Sequence, residues 1–145
     1  MFSNILVPTD GSPLALSAVE QAIDFARDAK AAITFITVIE PFRIFSVDSK
    51  QLSSTRENYG QLADAQATQF LTEAEMKARH KDVVCRPLKV EGDEVYSAII
   101  KAAIDNGCDL IAIASHGRGG AGTLLLGSVT AKILSHSRIP VLVYR

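Results

Sequence analysis

Five short strand-like runs are spaced along this chain, with a stretch of helical periodicity between each neighbouring pair, and that alternation restricts the fold more than any other feature. The first run, "NILVPTD" from Asn4 to Asp10, sets Ile5, Leu6 and Val7 side by side with no polar residue between them. Such a run suits a strand covered by helices on both faces rather than one with a wet side. Gly11, Ser12 and Pro13 then supply a turn, an N-cap and a first-turn proline. Ala15, Ala18, Val19, Ala22, Ala26 and Ala29 follow at helical spacing.

The unit recurs. "AITFITVIE" from Ala32 to Glu40 predicts a second strand, Pro41 to Thr55 reads as a surface loop, and Leu62, Ala63, Gln66, Ala67, Phe70, Leu71 and Ala74 mark a long helix ending near His80. A third strand is expected over Val83 to Lys89. Gly92 and Asp93 open a helix striped with Val95, Ala98, Ile99, Ala102 and Ala103, and "DNG" at Asp105 to Gly107 stops it. "DLIAIA" from Asp109 to Ala114 is a fourth buried strand, Ser128 is read as the cap of a fourth helix, and "PVLVYR" closes the chain as a fifth strand. Strands that alternate with helices pair in parallel through right-handed crossovers. The expectation is one α/β domain over residues 1–145, a three-layer open sheet of five parallel strands, with a ligand crevice among the loops after strands one, two and four.

Composition narrows the function. At 145 residues the chain has the size of one domain, and 48% hydrophobic with 21% charged residues is ordinary for a folded one. A net charge of -1 supplies no general basic field for nucleic acid, so an anion site has to be local. No apolar run has the length of a membrane span and "MFSNILVPTD" lacks the pattern of a signal peptide, so a cytoplasmic protein without membrane partners is expected. Cys85 and Cys108 have no CxxC spacing and read as core thiols.

The local anion site is sought in Ser115 to Thr130, "SHGRGGAGTLLLGSVT", which holds Gly117, Gly119, Gly120, Gly122 and Gly127. Two phosphate motifs match it formally and both fail on context. The G-x-G-x-x-G of a dinucleotide fold belongs after the first strand with an acid about 20 residues on, whereas Leu110 to Arg145 contains no Asp or Glu. The P-loop reading lacks its lysine, since Ser128 and Val129 follow Gly127. What remains is a glycine loop, Gly120 included, running into a helix start. Its backbone amides can face an anion, Ser128 and Thr130 can add hydroxyl donors, and Arg118 and His116 stand beside it. A glycine-rich surface loop with nothing packed on it is the plain alternative.

These residues also resemble the universal stress proteins in their nucleotide-binding branch. That branch carries G-x-x-G, nine residues, then G-S or G-T. Here "ASHG" from Ala114 to Gly117 is followed by nine residues and then by Gly127 and Ser128, with Ala114 standing where the branch has glycine. "ILVPTDGS" and "PVLVYR" extend the resemblance over the whole chain. It implies a Rossmann-like sheet of order 3-2-1-4-5, of the adenine nucleotide α-hydrolase-like kind, with adenine over the ends of the first two strands. Pro8, Thr9 and Asp10 would line the adenosine side, Asp10 accepting ribose hydroxyls, and Val38 or Ile39 would offer backbone groups to the adenine edge. Gly117, Arg118, Gly127, Ser128 and Val129 would hold the phosphates of ATP. Mg²⁺ would be held by phosphate oxygens and water rather than by a protein cage. The resemblance also implies a homodimer built through Val141 to Tyr144, the final strand, and a protein partner that the sequence leaves unnamed.

Other readings are weighed against this one. Asp10 is no receiver phosphorylation site, because the further acids and the lysine of a receiver are missing. His116 has no partnered nucleophile or carboxylate in the sequence and reads as a hydrogen-bond donor. His80 and His136 fall at helix ends, where they complement the dipole, and Lys50, Arg56 and Glu57 read as a solvated face. Without a Walker-type lysine and acid, ATP hydrolysis is expected to be slow at most, below about 1 s⁻¹, and no catalytic residue is assigned. A nucleotide-free dimer acting through protein contacts is the competing function, and a flavin protein would be yellow.

Overall fold

The computed structural model describes residues 1–41, 49–117 and 126–145. They form nine elements in the order β1 (Asn4–Pro8), α1 (Pro13–Ala29), β2 (Ala32–Ile39), α2 (Ser49–His80), β3 (Cys85–Glu91), α3 (Val95–Asp105), β4 (Leu110–Ala114), α4 (Ser128–His136) and β5 (Val141–Tyr144). All strand pairs are parallel, and the sheet order is β3-β2-β1-β4-β5, as the resemblance implies. The chain winds outward from β1 to β3, returns, and winds the other way from β4 to β5. The winding direction therefore reverses between β1 and β4, the kind of switch point at which open α/β sheets form a crevice.

Strand pleating sends alternate side chains to opposite faces, and here each face receives its own helix pair. Ile5, Val7, Ile33, Phe35, Leu110 and Ala112 pack with Val19, Ile23 and Ala26 of α1 and with Leu71, Ala74 and Ala78 of α2. Leu6, Ile36, Ile111 and Ile113 pack on the other face with Ile99 and Ala103 of α3 and Ile133 of α4. Ile5, Leu6 and Val7 are wholly buried, as the unbroken apolar run predicts.

The helix ends follow their local chemistry. Ser12 is the N-cap of α1, its Oγ accepting the Ala15 N–H at 3.2 Å, with Pro13 as the first helical residue. Lys30 takes the left-handed conformation that ends α1, and Gly107 does so after α3. Two expectations are corrected. Gly127, not Ser128, is the N-cap of α4, and Ser128 is its first helical residue. Helix α2 begins at Ser49, so part of the stretch read as a loop is helical, while the expected loop residues 42–48 lie outside the described residues. Its side chains from Thr55 to Leu62 are all exposed, including Leu62, so this half carries no apolar stripe to read.

The two sheet edges differ. β3 exposes Arg86, Pro87, Lys89 and Glu91, and a proline with alternating charges blunts an edge. β5 is short, half-buried along its whole length, and without a charged side chain. Among the described residues, no helix is long and apolar enough to cross a membrane.

The amino ends of the strands are tied by Asp109, whose carboxylate accepts the N–H of Ser3 at 2.8 Å, the Ser3 hydroxyl at 3.0 Å and the N–H of Asn4 at 3.1 Å. Burial pushes this carboxyl up, but the Ser3 and Asn4 donors outweigh it and hold it below the ordinary carboxylate range. A folded-state pKa below the unfolded one gives stability that is present above the unfolded value and disappears as pH falls through the folded one. Urea unfolding of the native protein and Asp109→Asn should therefore differ most near neutrality and converge in strong acid. A difference independent of pH would refute the assignment.

Candidate functional site

At the carboxyl ends of the strands, Pro8, Thr9, Asp10, Val38, Ile39, Ala114, His116, Gly117, Gly127, Ser128, Val129 and Thr130 line one cavity of about 560 Å³. Every expected site residue within the described residues is there. Arg118 and Gly120 lie outside the described residues.

The first wall is the turn from β1 into α1. Thr9 is buried, and its N–H makes the last rung to β2, 2.9 Å from the Ile36 carbonyl. Its own carbonyl accepts the Thr37 hydroxyl at 3.0 Å, and its Oγ1 accepts the Gly11 N–H at 3.3 Å. Asp10 Oδ1 accepts the Ser12 N–H at 3.0 Å, the Asx-turn geometry that holds a short acid beside its own backbone. Gly11 has φ +76, and the Phe70 ring of α2 occupies the space where its Cβ would stand. Glycine is needed there on both counts.

The second wall is the end of β2. Backbone groups two residues apart on a strand point to the same edge. Ile36 faces β1, so Val38 does too, and it lies beyond the last rung that β1 supplies. The Ile39 carbonyl points the other way and accepts the Gly92 N–H at 3.1 Å. Of the two residues expected to offer backbone groups, Val38 is the one whose backbone is turned toward the crevice.

The third wall joins β4 to α4. Ala114 is the last residue of β4, paired with Tyr144 in regular extended backbone, so its methyl group entails no strain. The Ser115 N–H donates to the Tyr144 carbonyl at 2.7 Å, and the Gly127 N–H donates to the Ser115 carbonyl at 2.7 Å. The outgoing and returning chains are thereby fastened at one point. A Cβ on Gly127 would stand 2.8 Å from the Cβ of His116, closer than carbon atoms pack, so glycine lets the two chains touch. His116 is half-buried, its Nδ1 3.3 Å from the Ser115 hydroxyl oxygen. Thr130 is buried and its hydroxyl donates to the Ala114 carbonyl at 2.8 Å. It braces the strand end rather than facing a ligand with its proton, which corrects its expected part as an outward donor.

Electrostatically, the site is a helix start without a cap. Ser12 caps α1, whereas among the described residues no side chain caps α4 and none in its first turn is acidic. The first-turn amides of a helix have no intrahelical partner and carry partial positive charge. Those of Ser128, Val129 and Thr130 stand at the cavity. Asp10 lines the same cavity. Its Oδ2 lies where a Cβ of Gly117 would be, so the carboxylate crosses from the first wall onto the third. Among the described residues no group of three or more His, Cys, Asp or Glu is placed to hold a metal ion.

One wall was not legible in the sequence. Tyr59, Ala63, Gln66, Ala67 and Phe70 of α2 also line the cavity. The stripe read from Leu62 onward extends back one turn to Tyr59 once Leu62, which is exposed, is left out of it.

A doubly wound parallel sheet with a glycine-walled crevice at its switch point is the class of domain that the fold and site define. The chain belongs to the universal stress protein family, matching it over residues 1–145. It is 26% identical over 149 residues to the universal stress protein YxiE of Bacillus subtilis, covering all of both chains. Among solved structures it resembles the Methanocaldococcus jannaschii protein MJ0577, with TM-score 0.78 and 27% identity over 99% of this chain and 95% of that one. It also resembles a universal stress protein solved in complex with cAMP, with TM-score 0.73 and 26% identity over 99% of this chain and 97% of the other.

The close approach of Asp10 to Gly117 has a direct test. Gly117→Ala should displace the Asp10 carboxylate and so break its bond to the Ser12 N–H. The Ser12 amide resonance should move while the melting temperature falls by less than about 4 °C. An unmoved Ser12 amide would show that the carboxylate does not occupy this place.

Proposed function

We propose that the crevice binds ATP as its magnesium complex and that the protein acts as a nucleotide-dependent regulator in the stress response. The observation that carries this reading is the uncapped start of α4, set behind Gly117 and Gly127 with Asp10 in the same cavity. An anion at the first-turn amides supplies the hydrogen bonds that a capping side chain supplies elsewhere. The triphosphate would lie there, on Gly127, Ser128 and Val129, with His116 beside it and with Arg118 and Gly120 adding to the loop. Asp10 would accept the ribose hydroxyls. Val38 would offer its N–H and carbonyl to the adenine edge, over Pro8 and Thr9. With no protein carboxylate cluster at hand, Mg²⁺ would be held by phosphate oxygens and water. The cAMP complex of a related protein supports an adenine nucleotide as the ligand class.

The same reading extends to assembly. β5 is the sheet edge without a charged or proline guard, and a second copy pairing through Val141 to Tyr144 would cover it. The proposed unit is a cytoplasmic homodimer with the nucleotide state read by a protein partner, and with ATP hydrolysis slow or absent.

Calorimetric titration of nucleotide-stripped protein with Mg-ATP tests the site. Native protein should bind. Gly127→Asp, which sets a carboxylate before the α4 amides and presses on His116, should bind at least about tenfold more weakly while keeping its circular dichroism spectrum. Native protein that fails to bind would reject the ATP reading and leave the nucleotide-free dimer, whose sedimentation coefficient the same sample provides.

A further inference from the structure

Thr37 breaks the pattern of the strand that carries it. On the face of β2 turned to α1 and α2, Ile33 and Phe35 are apolar core residues, and strand alternation makes Thr37 the next side chain on that face. It is only 7% exposed, so its hydroxyl needs a partner inside the protein, whereas a valine of the same shape would need none. The partner is the Thr9 carbonyl, 3.0 Å away.

That carbonyl lies in the path of another donor. In a parallel ladder, a residue that sends its N–H to one neighbour receives at its carbonyl the N–H two residues further along the same neighbouring strand. The Thr9 N–H goes to the Ile36 carbonyl, so the donor next in order for the Thr9 carbonyl is the Val38 N–H. The rung is not made. The register of β1 with β2 stops at Pro8 and Ile36, and among the described residues no backbone bond joins Val38 to Thr9. The Thr37 hydroxyl serves the carbonyl in its place. The Val38 side chain packs in the α3 and α4 layer, and its N–H lies in the plane of the sheet, toward the side of β1.

We infer that Thr37 is a positioning residue that ends the β1–β2 ladder one rung early and so keeps the Val38 N–H at the crevice for the base of a nucleotide. A backbone donor already engaged in the sheet could meet a base only by breaking its rung. The threonine hydroxyl satisfies the buried carbonyl from the side chain and leaves the backbone donor over. The inference rests on the nucleotide reading above for what the Val38 N–H meets, and the early end of the ladder stands without it.

Native protein, Thr37→Val, Thr37→Ala and Thr37→Ser are compared by amide hydrogen exchange without ligand and by calorimetric titration with Mg-ATP and with magnesium tripolyphosphate. Removing the hydroxyl leaves the buried Thr9 carbonyl unpaired, and the Val38 N–H should turn to it. The Val38 amide should therefore exchange at least about fivefold more slowly in Thr37→Val and Thr37→Ala than in the native protein, although each variant has lost a hydrogen bond. Mg-ATP should bind about fivefold more weakly to both, the effect of one hydrogen bond, and tripolyphosphate should bind as before. Thr37→Ser keeps the hydroxyl and should match the native protein throughout. Val38 exchange that is unchanged or faster in the two variants without a hydroxyl, or equal weakening of both ligands, would overturn the inference, because Thr37 would then only brace the strand ends. Slower exchange with Mg-ATP affinity unaltered would overturn it as well, since the Val38 N–H would not be the donor a base uses. A native protein that binds tripolyphosphate but not Mg-ATP would overturn the nucleotide reading itself, whatever the exchange rates.

Discussion

β1 and β4 lie side by side with apolar side chains on both faces, and every loop of the crevice springs from that pair or from its immediate neighbours. Parallel strands buried on two sides cannot slide in register without carrying core residues into the wrong helix layer. The pairing of Ile5 with Leu110 and Leu6 with Ile111 therefore fixes how far the turn after β1 and the loop after β4 project beyond the sheet. The Asp10 carboxylate reaches Gly117 because of that register. A site whose parts are more than 100 residues apart in sequence is brought together by the hydrophobic core beneath it.

Three glycines show how closely the walls meet. Gly11 leaves space for Phe70, Gly117 for Asp10, and Gly127 for the backbone and Cβ of His116. Each absent side chain is a contact between two different chain segments. The crevice is thus a set of fitted segments, and a methyl group added at any of the three would move a neighbour that the site uses. Only at Gly11 does the backbone conformation itself also demand glycine.

Much of this was readable from the chain. The strands were visible because two-sided burial writes itself as unbroken apolar runs, and α1 and α3 because one-sided burial writes itself as a stripe. Of the glycine loop, Gly117 and Gly127 fall at the cavity as expected, while residues 118–125 lie outside the described residues. The first half of α2 was not readable, because a helix half with exposed side chains has no periodicity to detect, and its signal shrank to Tyr59 and Ala63. The part played by Thr130 is hidden for a related reason. Sequence spacing brings a hydroxyl to the helix start, but only the fold shows that the Ala114 carbonyl lies within its reach. The choice between Val38 and Ile39 likewise depends on which edge of β2 each faces, and that is set by where β1 ends.

The unequal edges of the sheet bear on how large an assembly this fold can form. β3 is guarded by Pro87 and by charges of both signs, so among the described residues β5 is the edge without such a guard. A chain with one adhesive edge can satisfy it only with the same edge of another copy, an isologous contact that is complete after two. Growth into a ribbon would need a second edge to carry the pairing onward. For the dimer proposed above, the guarded strand would act as a terminator, keeping any particle assembled through sheet edges at two copies.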